Sequence, residues 1–194
     1  MNGDENLVQV FIQNLSSLGG KAWRGGGGRK ITCRLSSLDN LGEAVHFIRG
    51  MEDPMNDLMF AIRARNGRKS LEFIIIRFGK ASPRRGYTHT GFVVEIDLKR
   101  LTAEKMDHAV KILCEERDRL VNGYILKAFY EKRIATPPSV FVYSDHQEFE
   151  GCPRPKYIAY LDVGMDEPNE HLDENSEIID GMIKSVKRIW EEEI

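Results

Sequence analysis

The sequence predicts an α+β fold: an antiparallel sheet of five or six strands covered by two or three amphipathic helices, in the order α-β-α-β-β-β-α-β-β-α. Three observations carry that expectation. Apolar residues recur at helical spacing in residues 4–18, 38–49, 102–133 and 178–190. Between the second and third of these stretches lie three strand-like runs, and Asn66-Gly67, at the end of the first, is a strong hairpin signal. Strands that follow one another through short links favour antiparallel pairing, so the amphipathic helices must cover the faces.

Taken in order, Asp4 opens the first helix, Leu7, Val8, Phe11, Ile12 and Leu15 give it an apolar face, and Gly19-Gly20 stops it. Gly25-Gly26-Gly27-Gly28 follows, bracketed by Arg24 and Arg29-Lys30. Four glycines in a row maximise backbone freedom, so this stretch reads as a mobile basic arm or linker. The chain accordingly divides into residues 1–30, a helix plus glycine-rich arm, and 31–194, a single α+β domain. Ile31 to Leu35 is a short strand, and 38–49 a helix that places Leu38, Leu41, Val45 and Ile48 together before Gly50. Leu58 to Arg65 and Leu71 to Phe78 form the hairpin. Phe73-Ile74-Ile75-Ile76 is apolar on both faces, as a central strand would be. Phe92 to Leu98 is the third strand, reached through a long basic loop from Gly79 to Gly91. Thr102 caps a long helix extending toward Arg133, with Asn122-Gly123 as its weak point. Val140 to Tyr143 and Tyr157 to Leu161 are strands separated by a polar loop, Ser144 to Pro155. An acidic stretch from Asp166 to Glu177 leads into the last helix, whose face is Ile178, Ile179, Met182, Ile183, Val186, Ile189 and Trp190.

From Leu38 onward, the order αβββαββα resembles that of the secretion-chaperone and YbjN-like fold. The resemblance is one of element order, implies a fold, and transfers no functional residue.

Composition excludes several classes. Hydrophobic residues are 41% of the 194 and charged residues 30%, which fits neither a disordered nor a low-complexity chain. No apolar run is long enough to span a bilayer, and the first 30 residues lack a basic-then-apolar leader, so no membrane partner and a cytoplasmic location are expected. Cys33, Cys114 and Cys152 are scattered and reduced on this reading, and no Cys or His pair has the spacing of a metal site; neither metal nor cofactor is expected. The net charge of −2 conceals a polarity: residues 1–100 hold 16 Lys/Arg against 10 Asp/Glu, and residues 101–194 hold 12 against 20. Such a split serves a charged partner or joins two halves that attract each other.

The basic half supplies the leading functional expectation, a non-enzymatic module that contacts nucleic acid. Arg63, Arg65, Arg68, Lys69, Arg84 and Arg85 would neutralise phosphates, with Arg29 and Lys30 on the arm. Trp23, Tyr87 and His89 stand beside basic residues and would stack on bases. The first alternative is a protein-partner adaptor or chaperone-like homodimer. The second is a Mg²⁺-dependent nuclease: Asp97-Leu98-Lys99 resembles half of a PD-(D/E)xK motif, with Glu72 as the second carboxylate. Weaker still are Gly25 to Thr32, whose spacing is wrong for a phosphate loop, and Asp145-His146 with Cys152 as a nucleophile set.

Overall fold

The computed structural model describes residues 3–25, 28–51, 57–79, 82–125, 134–144 and 157–194. Along the chain run α1 (Gly3–Ser17), β1 (Gly20–Gly25), β2 (Lys30–Leu35), α2 (Leu41–Arg49), β3 (Met59–Asn66), β4 (Lys69–Arg77), β5 (Tyr87–Asp97), α3 (Ala103–Leu120), β6 (Ile134–Ser144), β7 (Tyr157–Pro168) and α4 (Ser176–Glu191). The α+β class is the one the sequence predicts. Its sheet, however, has seven strands in the order β1-β2-β3-β4-β5-β7-β6, and it is mixed. Strands β2 and β3 run parallel, because α2 lies between them in the chain and a helical crossover brings the backbone round to start again from the same end.

The additional strand is β1, within the stretch that read as an arm. It pairs antiparallel with β2 from Gly20↔Leu35 to Gly25↔Lys30. Gly28, at φ +84°, donates its N–H to the Gly25 carbonyl at 3.1 Å, and Arg24 Nε donates to the Gly28 carbonyl at 2.5 Å. These bonds reverse the chain between two paired strands, while Gly26 and Gly27 lie outside the described residues. Gly20 is needed for a different reason: a Cβ there would sit 2.3 Å from the Arg34 carbonyl oxygen.

Three other boundaries move. The β3–β4 loop is Gly67-Arg68, closed by the pair Asn66↔Lys69, with Gly67 at φ +56° in the first loop position as a type II′ turn requires. Strand β5 begins at Tyr87, which shortens the basic loop before it. Strand β7 continues through Asp166 and Glu167 to Pro168, where the sequence suggested an acidic connection. Thr102 caps α3 as expected, its hydroxyl accepting from Lys105 N at 3.3 Å. That helix passes into a π turn at Val121–Ile125, around the expected weak point, and its extension over 126–133 lies outside the described residues.

All four helices among the described residues pack on one face of the sheet. Phe11 of α1 meets Phe60 of β3 edge-on at 5.1 Å and stacks on Phe47 of α2 at 4.8 Å. Phe73 and Phe92 stack at 5.8 Å beneath the helices, and Ile179, Met182, Val186 and Ile189 of α4 are buried. Each such side chain stabilises the fold by about 1.5–3 kcal/mol. Polar ties lock this layer. Arg49 of α2 makes a two-pronged ion pair with Glu167 of β7, at 2.5 and 2.9 Å, and also donates to Thr90. Glu116 of α3 accepts from Ser185 and Arg188 of α4. No helix among the described residues is long and apolar enough to cross a membrane.

Candidate nucleic-acid interface

In a sheet, alternate residues point to opposite sides. The set Ile31, Cys33, Phe60, Ile62, Phe73 and Phe92 faces the helices and is buried. The opposite set forms the open face, on which Lys21, Trp23, Arg34, Arg65 and Asp162 are exposed while the small residues Thr32 and Ala61 are buried among their neighbours. The strand registers define its cross-strand rows. One row reads Lys21 (β1), Arg34 (β2), Arg63 (β3), Glu72 (β4), Val93 (β5) and Asp162 (β7). Three cations therefore stand side by side, followed by acids. At about 4.8 Å per strand, the cations span ~10 Å and Asp162 lies ~24 Å from Lys21.

Neighbouring rows repeat the polarity. Lys30 on β2 and Arg65 on β3 add positive charge near the ends of the cationic strip, and Glu95 and Asp97 on β5 add negative charge to the other half. Trp23 is 37% exposed on this face, with the Arg34 guanidinium 5.8 Å from its ring centroid. Between the halves run the partly buried apolar residues Met59, Ile74, Ile76 and Val93.

The eight cations singled out in the sequence have different fates. Arg63 and Arg65 share the open face, as alternation requires, and Arg63 is ion-paired with Glu72 at 2.6 Å. Lys30 lies on the same face at the start of β2, and exposed Arg29 precedes it. At the sheet's rim Arg65 also lines a cleft of about 500 Å³ with Asp39 and with Lys187, Trp190 and Glu191 of α4, so carboxylates as well as cations surround it. Arg68 is turned onto the backbone, donating to the carbonyls of Asp97 at 3.2 Å and Lys99 at 2.7 Å. Lys69 faces the helices and is only 7% exposed; its ammonium donates to the carbonyls of Ile189, Trp190 and Glu192 at the end of α4. Burial pushes that ammonium below its ordinary pKa, with the Glu192 carboxylate opposing the shift. Arg84 pairs with Asp166 at 2.9 Å and lies over Phe78, while exposed Arg85 follows it in the loop. That loop joins β4 to β5, at the end of the sheet where β3 begins; Arg65 and Arg68 are at the other end, ~20 Å away by strand rise. The register thus places Lys30, Arg63 and Arg65 on one face, with Arg29 adjoining, though Lys30 stands ~13 Å from Arg63 and ~20 Å from Arg65 along the strands, and the other four lie off that strip.

Lys21 and Arg34 complete the strip and are absent from the sequence-derived set. The signal for them is alternation: Lys21 and Trp23 share one side of β1, and Thr32 and Arg34 lie opposite apolar Ile31, Cys33 and Leu35. Of the aromatic candidates, Tyr87 is 36% exposed, and His89 is tied through Nδ1 to Asp166 at 2.7 Å.

The carboxylates proposed for a nuclease are not neighbours. Glu72 pairs with Val93, which puts Asp97 four residues further along β5, ~13 Å away. Asp97 Oδ1 instead accepts from Lys99 N at 2.9 Å. No group of three or more metal-ligating side chains occurs among the described residues. Asp145, His146 and Cys152 lie outside them. Burial raises the pKa of the Cys33 thiol, as befits a core residue rather than a nucleophile.

No protein-family model matches the chain, no curated protein matches it significantly, and no solved structure does so either.

Proposed function

We propose that this protein is a non-enzymatic module that binds nucleic acid through the cationic half of its open sheet face. The observation that carries the reading is the side-by-side placement of Lys21, Arg34 and Arg63 on adjacent strands. Like charges directly opposite one another destabilise a sheet, whereas a phosphate backbone lying across them relieves the repulsion and releases counterions. Lys30 and Arg65 extend the strip along the strands, Arg29 adjoins it, and exposed Trp23 offers a stacking surface at its margin. Arg84 and Arg85 lie apart from it and serve as outlying contacts at most. Fluorescence anisotropy with labelled DNA and RNA oligonucleotides, at 50 and 200 mM salt, tests the reading. The expected result is binding that weakens steeply with salt and is lost in the Lys21→Glu/Arg34→Glu variant, with an unchanged circular dichroism spectrum. Absence of salt-sensitive binding to any DNA or RNA overturns it.

A second reading, a protein partner or second copy joined at the sheet edge, is favoured by β6. This strand ends the sheet, and Phe141, Val142 and Tyr143 are 48%, 61% and 50% exposed on it. An edge strand bearing apolar side chains on both sides is a template for strand addition. Light scattering on the purified chain decides: a stable dimer that becomes monomeric in Val142→Lys supports this reading, and a wild-type monomer that captures no strand-forming peptide removes it.

A further inference from the structure

We infer that the acidic half of the open face is a selectivity element that restricts the ligand to a single nucleic-acid strand, excluding duplexes. The inference rests on the nucleic-acid reading above and deepens it. Its basis is geometric. The cationic strip occupies β1 to β3, ~10 Å across. That width accommodates one phosphodiester backbone running along Lys30 and Arg34 of β2 and Arg63 and Arg65 of β3. A duplex presents a second backbone across a groove of about 6 Å or about 12 Å. Measured outward from β3, those distances fall on β4 and β5, with β7 just beyond.

The side chains waiting there are anionic. Glu72 borders the strip and is held by Arg63. Glu95 is partly buried and Asp162 exposed, and neither has an ion-pair partner among the described residues. Asp97 continues the negative surface toward the end of β5. Among the described residues, Arg68 reaches the Asp97 end of this half, where its guanidinium is held by the Asp97 and Lys99 carbonyls, and Arg84 and the β5 residue His89 lie at the other end, both bound to Asp166. A second backbone would therefore lie over Glu95 and Asp162, which have no ion-pair partner among the described residues, whereas a single strand avoids them and leaves its bases free to reach Trp23.

The test compares a single-stranded oligonucleotide with its duplex at 50 mM salt, in wild type and in the Glu95→Gln/Asp162→Asn variant. Wild type is expected to prefer the single strand by at least about tenfold, with a log–log salt slope of about −2 to −3 for three or four phosphates. Trp23→Ala should weaken single-strand binding about fivefold or more, the effect of losing one stacked base. Neutralising Glu95 and Asp162 removes two charges lying ~7 Å beneath a second backbone. Duplex affinity should then rise about fivefold to tenfold while single-strand affinity stays within about twofold. Equal wild-type affinity for both forms, or an equal gain for both in the variant, overturns this inference and leaves the basic strip intact. Failure to bind either form removes the nucleic-acid reading itself, and the inference with it.

Discussion

Lys21→Glu separates a functional cationic strip from an incidental one, because fold and ligand pull on this residue in opposite directions. In the native sheet Lys21 faces Arg34, and Arg34 also faces Arg63 across the parallel pair. A cross-strand charge pair is worth about 0.2–1 kcal/mol, favourable or unfavourable according to sign. Replacing a like pair by an opposite pair on an exposed edge should therefore stabilise the protein by about 0.5–1 kcal/mol. For a chain of this length that corresponds to a rise of about 1–4 °C in Tm. Added salt should narrow the difference, since screening weakens the repulsion in wild type and the attraction in the variant alike. Binding should move the other way: one cation is lost from under the phosphates and one anion takes its place, flattening the salt slope by about one. Urea unfolding read beside oligonucleotide anisotropy covers both quantities. A variant that is less stable and binds as wild type does would refute the assignment, since Lys21 would then be supporting the fold through contacts other than its charge.

Further outcomes concern the helical layer. Arg49→Met strands Glu167, which has no exposed surface, and should cost about 3–5 kcal/mol in urea unfolding; the Arg49→Met/Glu167→Leu double variant should recover most of that loss, and simple additivity would refute the pairing. Lys69 has its folded pKa held below 10.5 by burial. Between those two values the unfolded chain carries more protons than the folded one, so stability rises with pH in that window. Lys69→Met should abolish that rise, as measured by urea midpoints taken from neutral pH to about pH 11. Cys33 is 1% exposed with its thiol pKa raised, so it should resist a thiol reagent in the native protein and react only on unfolding; rapid native labelling at Cys33 would contradict its placement.

Elements announced by local chemistry were legible. Thr102 caps a helix, Gly67 turns a hairpin, and the stripe from Ile178 to Ile189 needs no partner to be recognised as a buried helix face. Elements that exist only because of a distant partner were not. Strand β1 shows one short alternation before four glycines, and it becomes a strand because β2 lends it a ladder. The end of β7 is harder still. Asp166-Glu167-Pro168 reads as a solvated connection, yet Asp166 finds Arg84, 82 residues away, and Glu167 finds Arg49, 118 residues away. Paired in this way, acids can occupy a central ladder, and nothing within their own segment announces it.

The same distinction governs the candidate site. A cluster of cations in sequence suggests a patch, but Arg68 and Lys69 spend their charge on backbone carbonyls, whereas singly placed Lys21 and Arg34 join Arg63 through the sheet. From β1 to β5 the sheet follows the chain, and β7 and β6 close it, yet the sign changes across the open face between Arg63 and Glu72, well before it changes along the sequence: Glu72, Glu95 and Asp97 all belong to the cation-rich first hundred residues. The sequence left two explanations of the asymmetry standing, attraction between the halves and a charged partner, and they operate at different places in the molecule. Arg49–Glu167 and Arg84–Asp166 join the halves, whereas Lys21 and Arg34 on the open face meet no acid among the described residues until Glu72, which Arg63 already occupies. Attraction between the halves therefore accounts for the buried and loop-end pairs, whereas on the strip Arg63 is paired locally with Glu72 and exposed Lys21 and Arg34 are left to solvent, counterions or the ligand proposed above.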